Sequence, residues 1–320
     1  MSSIFLAARR LVGVEVDDMV FRYHSVIALQ RLSHTHVKQL VICDGFKVRG
    51  KNKFRSGEIT AERAAAYEDY KGRLRALSMT TGSLLAGATV LELADRNGFG
   101  FAMREGLAHV TTPYLVVVQH DRNFRANIGC DLLEVVQAMH THRAWLHYVG
   151  LATSRTIKHQ HLVLSKYKLK ICPFAVKAHQ DEFTESRARA EAVACSGDAS
   201  REVRLLPLLQ WYDSTHVASA EYYRHFVFSR RVKRVARGGF IEDKLGQEQL
   251  RVILERGVGA HVPYGTFMLD DGSGAPVVQH LDGHDTRNGE RFVHVDADDG
   301  GQFHVSTSKI RQRAEFRETT

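Results

Sequence analysis

Residues 90–124, VLELADRNGFGFAMREGLAHVTTPYLVVVQHDRNF, decide how the rest of the chain is read. VLEL is a short apolar run, and Asp95-Arg96-Asn97-Gly98 carries turn chemistry. Phe101, Met103, Leu107 and Val110 then fall near helical spacing until Thr111-Thr112-Pro113 stops the pattern. YLVVV, at 114–118, is apolar throughout and mostly β-branched, as a strand buried on both faces of a largely parallel sheet should be. The stretch therefore reads strand, loop, helix, strand. Side chains just beyond such a strand lie at the crevice where open α/β sheets bind ligands, which singles out Gln119, His120, Asp121 and Arg122.

The residues upstream extend this pattern. Residues 3–8 read as a first strand, and Asp17-Asp18 opens a helix with Met19, Val20, Tyr23, Val26, Ile27 and Leu29 on one face. A second strand, 37–43, ends at Asp44-Gly45. KVRGKNKFRS, at 47–56, is a basic loop that either closes over a diphosphate or is simply solvated. Residues 61–77 form a long, charge-laced helix with Tyr67 and Tyr70 near its inner face. Strands alternating with helices imply right-handed βαβ units and a nucleotide-binding half over about 1–125.

The order of features here resembles the middle of GT-A-fold glycosyltransferases of the family 2 type. The features are Asn97-Gly98, then Ala102 to Gly106-Leu107, the Thr-Pro-Tyr turn, an apolar strand and an Asp. That resemblance implies a Rossmann-type α/β sheet with helices on both faces and a nucleotide-sugar donor of the UDP or GDP type. It also implies Mn2+ or Mg2+ held at an Asp-x-Asp after the strand. The corresponding triplet is Gln119-His120-Asp121, so only the second acid is present. By the same resemblance Asp44 accepts a hydrogen bond from the nucleobase, and Arg96, Asn97, Arg104 and Gln119 sit on the donor side. Read locally, Asp44 is a turn residue before glycine.

Composition bounds the alternatives. The chain has 320 residues, 44% of them apolar and 25% charged, enough to bury a full core. No apolar run approaches the roughly 18 residues of a membrane span, and 4–8 is too short for a signal-peptide core. The four cysteines are scattered without a C-x-x-C pair, so neither zinc nor a disulfide framework is expected, and a soluble chain in the reducing cytoplasm is. A formal charge of +8 favours anionic partners, among them nucleotide diphosphates, acidic glycans and an anionic membrane surface. Nucleic acid has only the charge in its favour, with no binding motif beside it, and is not expected as a partner.

Downstream, a helix at 131–140 precedes a strand at 145–151, and 155–202 reads as an insertion carrying acceptor-side loops. His140, His142 and His147 lack a carboxylate partner in their spacing and read as surface or core histidines. In WYDSTH, 211–216, Trp211 beside Asp213 could hold the pyranose of a glycan acceptor. Alternatively, the aromatics are core and Asp213 or Ser214 caps a helix bearing Val217, Tyr222, Tyr223 and Phe226. RRVKRVAR, 230–237, is either a solvated helix face or a contact for phosphate or an anionic surface. It runs into Gly238-Gly239-Phe240-Ile241-Glu242-Asp243. The resemblance implies a Glu-Asp pair at a helix start lining the acceptor half, about 126–285. Asp243 is then the general base and Glu242 its substitute; read locally, Asp243 is a helix cap.

Residues 258–269 and 275–280 read as a hairpin about Asp270-Asp271-Gly272-Ser273-Gly274. By the resemblance, His280 or His284 joins Asp121 on the metal. Asp296-Ala297-Asp298-Asp299 is an Asp-x-Asp in letters, but its setting is a hairpin tip within a C-terminal region, 286–320, that ends in a basic tail. The expectation is a single catalytic domain over 1–285 of an inverting, metal-using glycosyltransferase. The alternative is a non-catalytic carbohydrate- or nucleotide-binding relative, which the missing first acid permits.

Overall fold

The computed structural model describes residues 2–8, 38–48, 59–83, 85–119, 122–124, 129–177 and 202–280. These build a nine-stranded sheet in the order β3-β2-β1-β4-β9-β6-β10-β8-β7. β1 (Ser2–Ala8), β2 (Lys38–Cys43), β3 (Thr89–Glu92) and β4 (Tyr114–Gln119) form a continuous parallel block. β9 (His216–Ser219) runs antiparallel between β4 and β6 (Tyr148–Gly150), and β10 (Thr266–Leu269) lies parallel to β6. β8 (Glu202–Pro207) and β7 (Phe174–Lys177), each antiparallel to its neighbour, complete the far edge. Seven of these nine described strands point the same way, as the expected mostly parallel α/β sheet requires.

The period-two alternation of β2 explains how helices come to cover both faces. Leu40 and Ile42 join the main core with Phe99, Met103 and Leu107 of α2 (Gly98–Leu107). Val41 and Cys43 point the other way, onto Tyr67 and Leu74 of α1 (Ala61–Met79). α1 starts where Thr60 accepts a bond from Arg63 N–H at 3.3 Å. On α2 the buried Phe99, Ala102, Met103, Gly106 and Leu107 repeat at helical spacing and form one apolar stripe. Between α1 and β3, the half-buried Glu92 binds Lys71 (3.1 Å) and Arg75, holding the small second core closed.

Past β4 the structure departs from the sequence reading in four places. Residues 156–177, read from sequence as part of a loop-bearing insertion, hold regular elements. A short 3-10 turn and α4 (His159–Tyr167), which follows α3 (Gly129–Thr141), lead to β7 at the sheet edge. Val217 lies in strand β9 rather than in a helix. The helical segment begins only at α5 (Ala220–Tyr222), capped by Ser219 and continued by a π-helical turn over Tyr223–Val227. Residues 230–241 hold no helix; Arg234 turns inward to bind Glu248 Oε1 and Phe226 O, both at 3.1 Å. Finally, β10 and β11 (Val278–His280) are not a hairpin. β10 enters the main sheet, while β11 pairs antiparallel with β5 (Arg122–Phe124). The helix expected at Asp17, most of the 47–56 loop and the region 286–320, with its Asp-x-Asp, lie outside the described residues.

Candidate functional site

The end of β2 and the loop that leaves β3 meet at the first turn of α2. Asp44 follows β2 and is buried, and its carboxylate accepts three backbone N–H bonds. Oδ1 takes Gly45 (3.0 Å) and Asn97 (2.8 Å), and Oδ2 takes Gly98 (2.8 Å). Asn97 holds the capping position of α2 but offers no side-chain cap; its amide donates instead to Asp95 O at 2.7 Å. The cap thus comes from Asp44, just past β2, which supplies negative charge where the helix dipole favours it. Gly45 has no room for a side chain, since a Cβ there would meet Asp95 backbone carbon at 2.4 Å.

The opposite side of the same turn is clamped by the loop that carries the Glu-Asp pair. Gly238 N–H donates to Asn97 O at 2.7 Å, and Gly100 N–H donates to Gly239 O at 3.1 Å. Gly98 has φ +75, and a Cβ on it would sit 2.6 Å from the Gly238 backbone, so both conformation and space demand glycine. Phe99 and Phe240 stack with centroids 5.7 Å apart. Asp44, Asn97 and Gly238–Gly239, widely separated in sequence, therefore form one rigid junction.

Three residues beyond Phe240 the exposed Asp243 accepts Phe240 N–H at 2.9 Å, as the third residue of a capping box does. A π-helical turn, Glu242–Gly246, then leads into α6 (Gln247–Arg256), so the α-helix itself begins four residues after Asp243. Glu242 is half-buried. Its carboxylate accepts Asp213 N–H at 3.1 Å, and Asp213 returns the bond by accepting Glu242 N–H at 3.1 Å.

Trp211 and Asp213, read from sequence either as acceptor contacts or as core and cap, are sealed in the core at 0% and 4% exposure. The indole N–H donates to Asp213 Oδ1 at 2.8 Å, and the ring packs on Tyr148, 4.5 Å away, and on Tyr223. Neither residue has a face to give a pyranose. Burial, with the Glu242 charge added, pushes the Asp213 carboxyl up to about 8, so it is protonated at neutral pH. Burial also pulls His216 down to about 4. Neutral His216 therefore gives its Nδ1–H to Ser214 O (2.5 Å) and accepts Tyr223 O–H at Nε2 (2.7 Å).

The remaining candidates divide. Arg96 lies, half-buried, in the loop before α2. Gln119 closes β4, and its Oε1 accepts Arg122 Nε–H at 3.3 Å. Arg104 belongs to the last turn of α2, exposed, paired with Glu105 at 2.8 Å and lying over the Phe101 ring. Six residues along a helix is about 9 Å from Gly98, which takes Arg104 away from the junction. Asp121 and His284 lie outside the described residues. His280 is described in its backbone, where β11 sets it opposite Arg122, the residue next to Asp121 in sequence. Among the described residues, no three His, Cys, Asp or Glu side chains gather as a metal site. His142 instead contacts Lys177 O, and His147 stacks on Tyr222.

The sequence reading missed the reciprocal bonding of the buried Asp213 and the half-buried Glu242. Two acids 29 residues apart carry no local sign of pairing.

No protein-family model matches the sequence, and no curated protein does either. Among solved structures, the chain is similar to a mannosyltransferase of Pyrobaculum calidifontis in complex with GDP-Man and Mn2+. The identity is 14% over 48% of this chain and 35% of that one, with a TM-score of 0.29. It is similar to the Mycobacterium tuberculosis glucosyl-3-phosphoglycerate synthase in complex with Mn2+, UDP and glucosyl-3-phosphoglycerate. Here the identity is 14% over 69% and 57% of the two chains, with a TM-score of 0.31. A third is CMP:2-keto-3-deoxy-manno-octonic acid synthetase complexed with CTP, at 11% identity over 84% and 88%, with a TM-score of 0.35. The chain thus spans about a third of the first of these and little more than half of the second. At such scores the fold rests on the strand order and register of the chain itself.

Proposed function

We propose that this protein is a nucleotide-sugar-dependent glycosyltransferase of the inverting kind, with its donor bound where the parallel block ends. The observation that carries the reading is the convergence of the end of β2, the loop after β3 and the Gly238–Gly239 loop on the first turn of α2. Carboxyl ends of parallel strands are where open α/β sheets take nucleotides, and here the Asp243 carboxylate is fixed beside that edge.

Asp44 serves as an organiser: its carboxylate holds the α2 turn in place, and Arg96, Asn97 and Gln119 are the side chains offered to ribose, phosphate or sugar. Mn2+ or Mg2+ would be held by Asp121 with His280 or His284, the support being the β5–β11 register that brings His280 beside Arg122. When bound, the metal would neutralise the diphosphate leaving group. Asp243 is the general base. It is exposed, its rotamer is set by Phe240 N–H, and it has lone pairs left to take the proton of an acceptor hydroxyl as the new glycosidic bond forms. Glu242, tied to Asp213, holds the turn in which Asp243 sits.

The test is a panel of UDP- and GDP-sugars incubated with the full chain, with and without manganese. Metal-dependent donor hydrolysis, or transfer to an added glycan, is the expected result. Nucleotide binding without turnover across the panel would favour the non-catalytic relative, and no binding at all would contradict both readings.

A further inference from the structure

Two long stretches of the chain are basic without a single acid. Residues 135–177 hold seven Lys and Arg and no Asp or Glu, and residues 222–241 hold six and none. All seven are exposed: Arg143 in the turn after α3, then Arg155, Lys158, Lys166, Lys168, Lys170 and Lys177.

Contacts between these pieces make them one surface. His142 Nε2 lies 3.0 Å from Lys177 O, and the Trp145 ring is 6.1 Å from that of Phe174, so the turn after α3 rests on β7. Gln160 donates to Ile171 O at 2.8 Å and ties α4 to the 168–173 loop.

Elsewhere on the surface, Arg75, Arg104, Arg204 and Arg251 each hold a carboxylate partner, whereas Arg230, Arg231 and Lys233 hold none among the described residues. Among the described residues the seven cations of 135–177 hold none either, although the register sets Glu202 opposite Lys177. Apolar side chains are exposed within the same surface. Leu162 and Leu164 of α4 are 50% and 52% exposed, and Phe174, on the edge strand β7, is 39% exposed. α4 buries His159 and Val163, which leaves the two leucines on either flank of its outer face. Charged residues on an edge strand discourage sheet-to-sheet pairing, which accounts for Lys177 but not for the cations of α4 and the loop.

We propose that this face, made of α4, the 168–173 loop, β7 and the turn after α3, docks the protein on an anionic phospholipid bilayer. Basic residues are drawn to the negative surface potential of such a membrane, and alkyl side chains among them enter the boundary between headgroup and acyl chain. A nucleic acid would match the lysines but leave both leucines in water, because it offers rings for stacking rather than an apolar layer. The proposal is independent of the reaction assigned to the junction.

The test is sedimentation of the full chain with phosphatidylcholine vesicles, with and without phosphatidylserine. Binding at least roughly tenfold stronger to the serine-containing vesicles, weakening as salt is added, is expected. Combining Lys158→Glu, Lys166→Glu and Lys170→Glu should remove it by a similar factor while the circular dichroism spectrum stays unchanged. Leu162→Ser with Leu164→Ser, which keeps every charge, should weaken it a few-fold. Reversal of Arg230 and Arg231 to Glu should leave it within a factor of about two. Equal binding to both vesicle types, no vesicle binding, or binding that survives the lysine reversals would overturn the proposal. So would a preference for single-stranded RNA over the serine-containing vesicles.

Discussion

The two halves of the sheet use polar residues in opposite ways. In the parallel block, β1 to β4, a carboxylate at a strand end is spent on backbone: Asp44 holds three N–H groups and sets the first turn of α2. In the mixed half, β6 to β10, polar and aromatic side chains are spent on one another. Trp211, Asp213, His216 and Tyr223 form a closed network with almost no exposure. The comparison teaches that a chemically rich sequence such as WYDSTH can be a core, while a plain turn such as Asp44-Gly45 can be the hinge of a site. What separates them is exposure, which depends on contacts far along the chain.

The largest effect should come from breaking the closed network. Trp211→Ala removes a fully buried indole and leaves Asp213 Oδ1 without its donor, and should cost about 3–5 kcal/mol in urea unfolding. A sugar-stacking tryptophan would instead lose acceptor affinity with little change in stability. Next comes Asp44→Ala, which strands two N–H groups at the head of α2 and that of Gly45; about 2–4 kcal/mol is expected by the same measurement. Loss of nucleotide binding at unchanged stability would make Asp44 a ligand contact rather than an organiser.

The smallest effect is a pH profile. Asp213 is raised to about 8 from an ordinary 3.8, so the native state holds a proton that the unfolded chain gives up. Its contribution is full below about 4 and is lost as pH rises towards 8. His159 and His216, both lowered to about 4, act oppositely: their contribution is full above 6.5 and is lost as pH falls towards 4. Melting temperature should therefore peak near pH 6.5. In Asp213→Asn the decline between 6.5 and 8 should flatten while the acid limb remains. A decline that persists in the variant would assign it to another group.

Much of the parallel block was legible from residue pattern alone. YLVVV, the strand before Asp44 and the α1 and α2 helices have signals contained within a dozen or so residues. The mixed half was not. Val217, Tyr222, Tyr223 and Phe226 mimic helical spacing because β9 passes straight into a helical turn at Ser219. The Asp270–Gly274 turn suggested a hairpin, and the turn is real: Asp271 Oδ1 accepts Ser273 N–H at 2.9 Å. Yet β10 and β11 each find partners far away in sequence, on β6, β8 and β5, which local turn chemistry cannot encode. The same reason hid the capping role of Asp44, whose partners lie 53 and 54 residues on.

The junction is proposed to hold a working base at Asp243, and one substitution addresses this directly. Asn can still accept Phe240 N–H, so Asp243→Asn should keep the fold, but it cannot take a proton. The measurement is sugar transfer from whichever UDP- or GDP-sugar the wild type turns over, with nucleotide binding followed alongside by calorimetry. The expected result is unchanged melting temperature and nucleotide affinity with transfer reduced at least ~100-fold, the lower end of what general-base catalysis supplies. Transfer within about twofold of wild type would contradict the assignment and leave Asp243 as part of a helix cap.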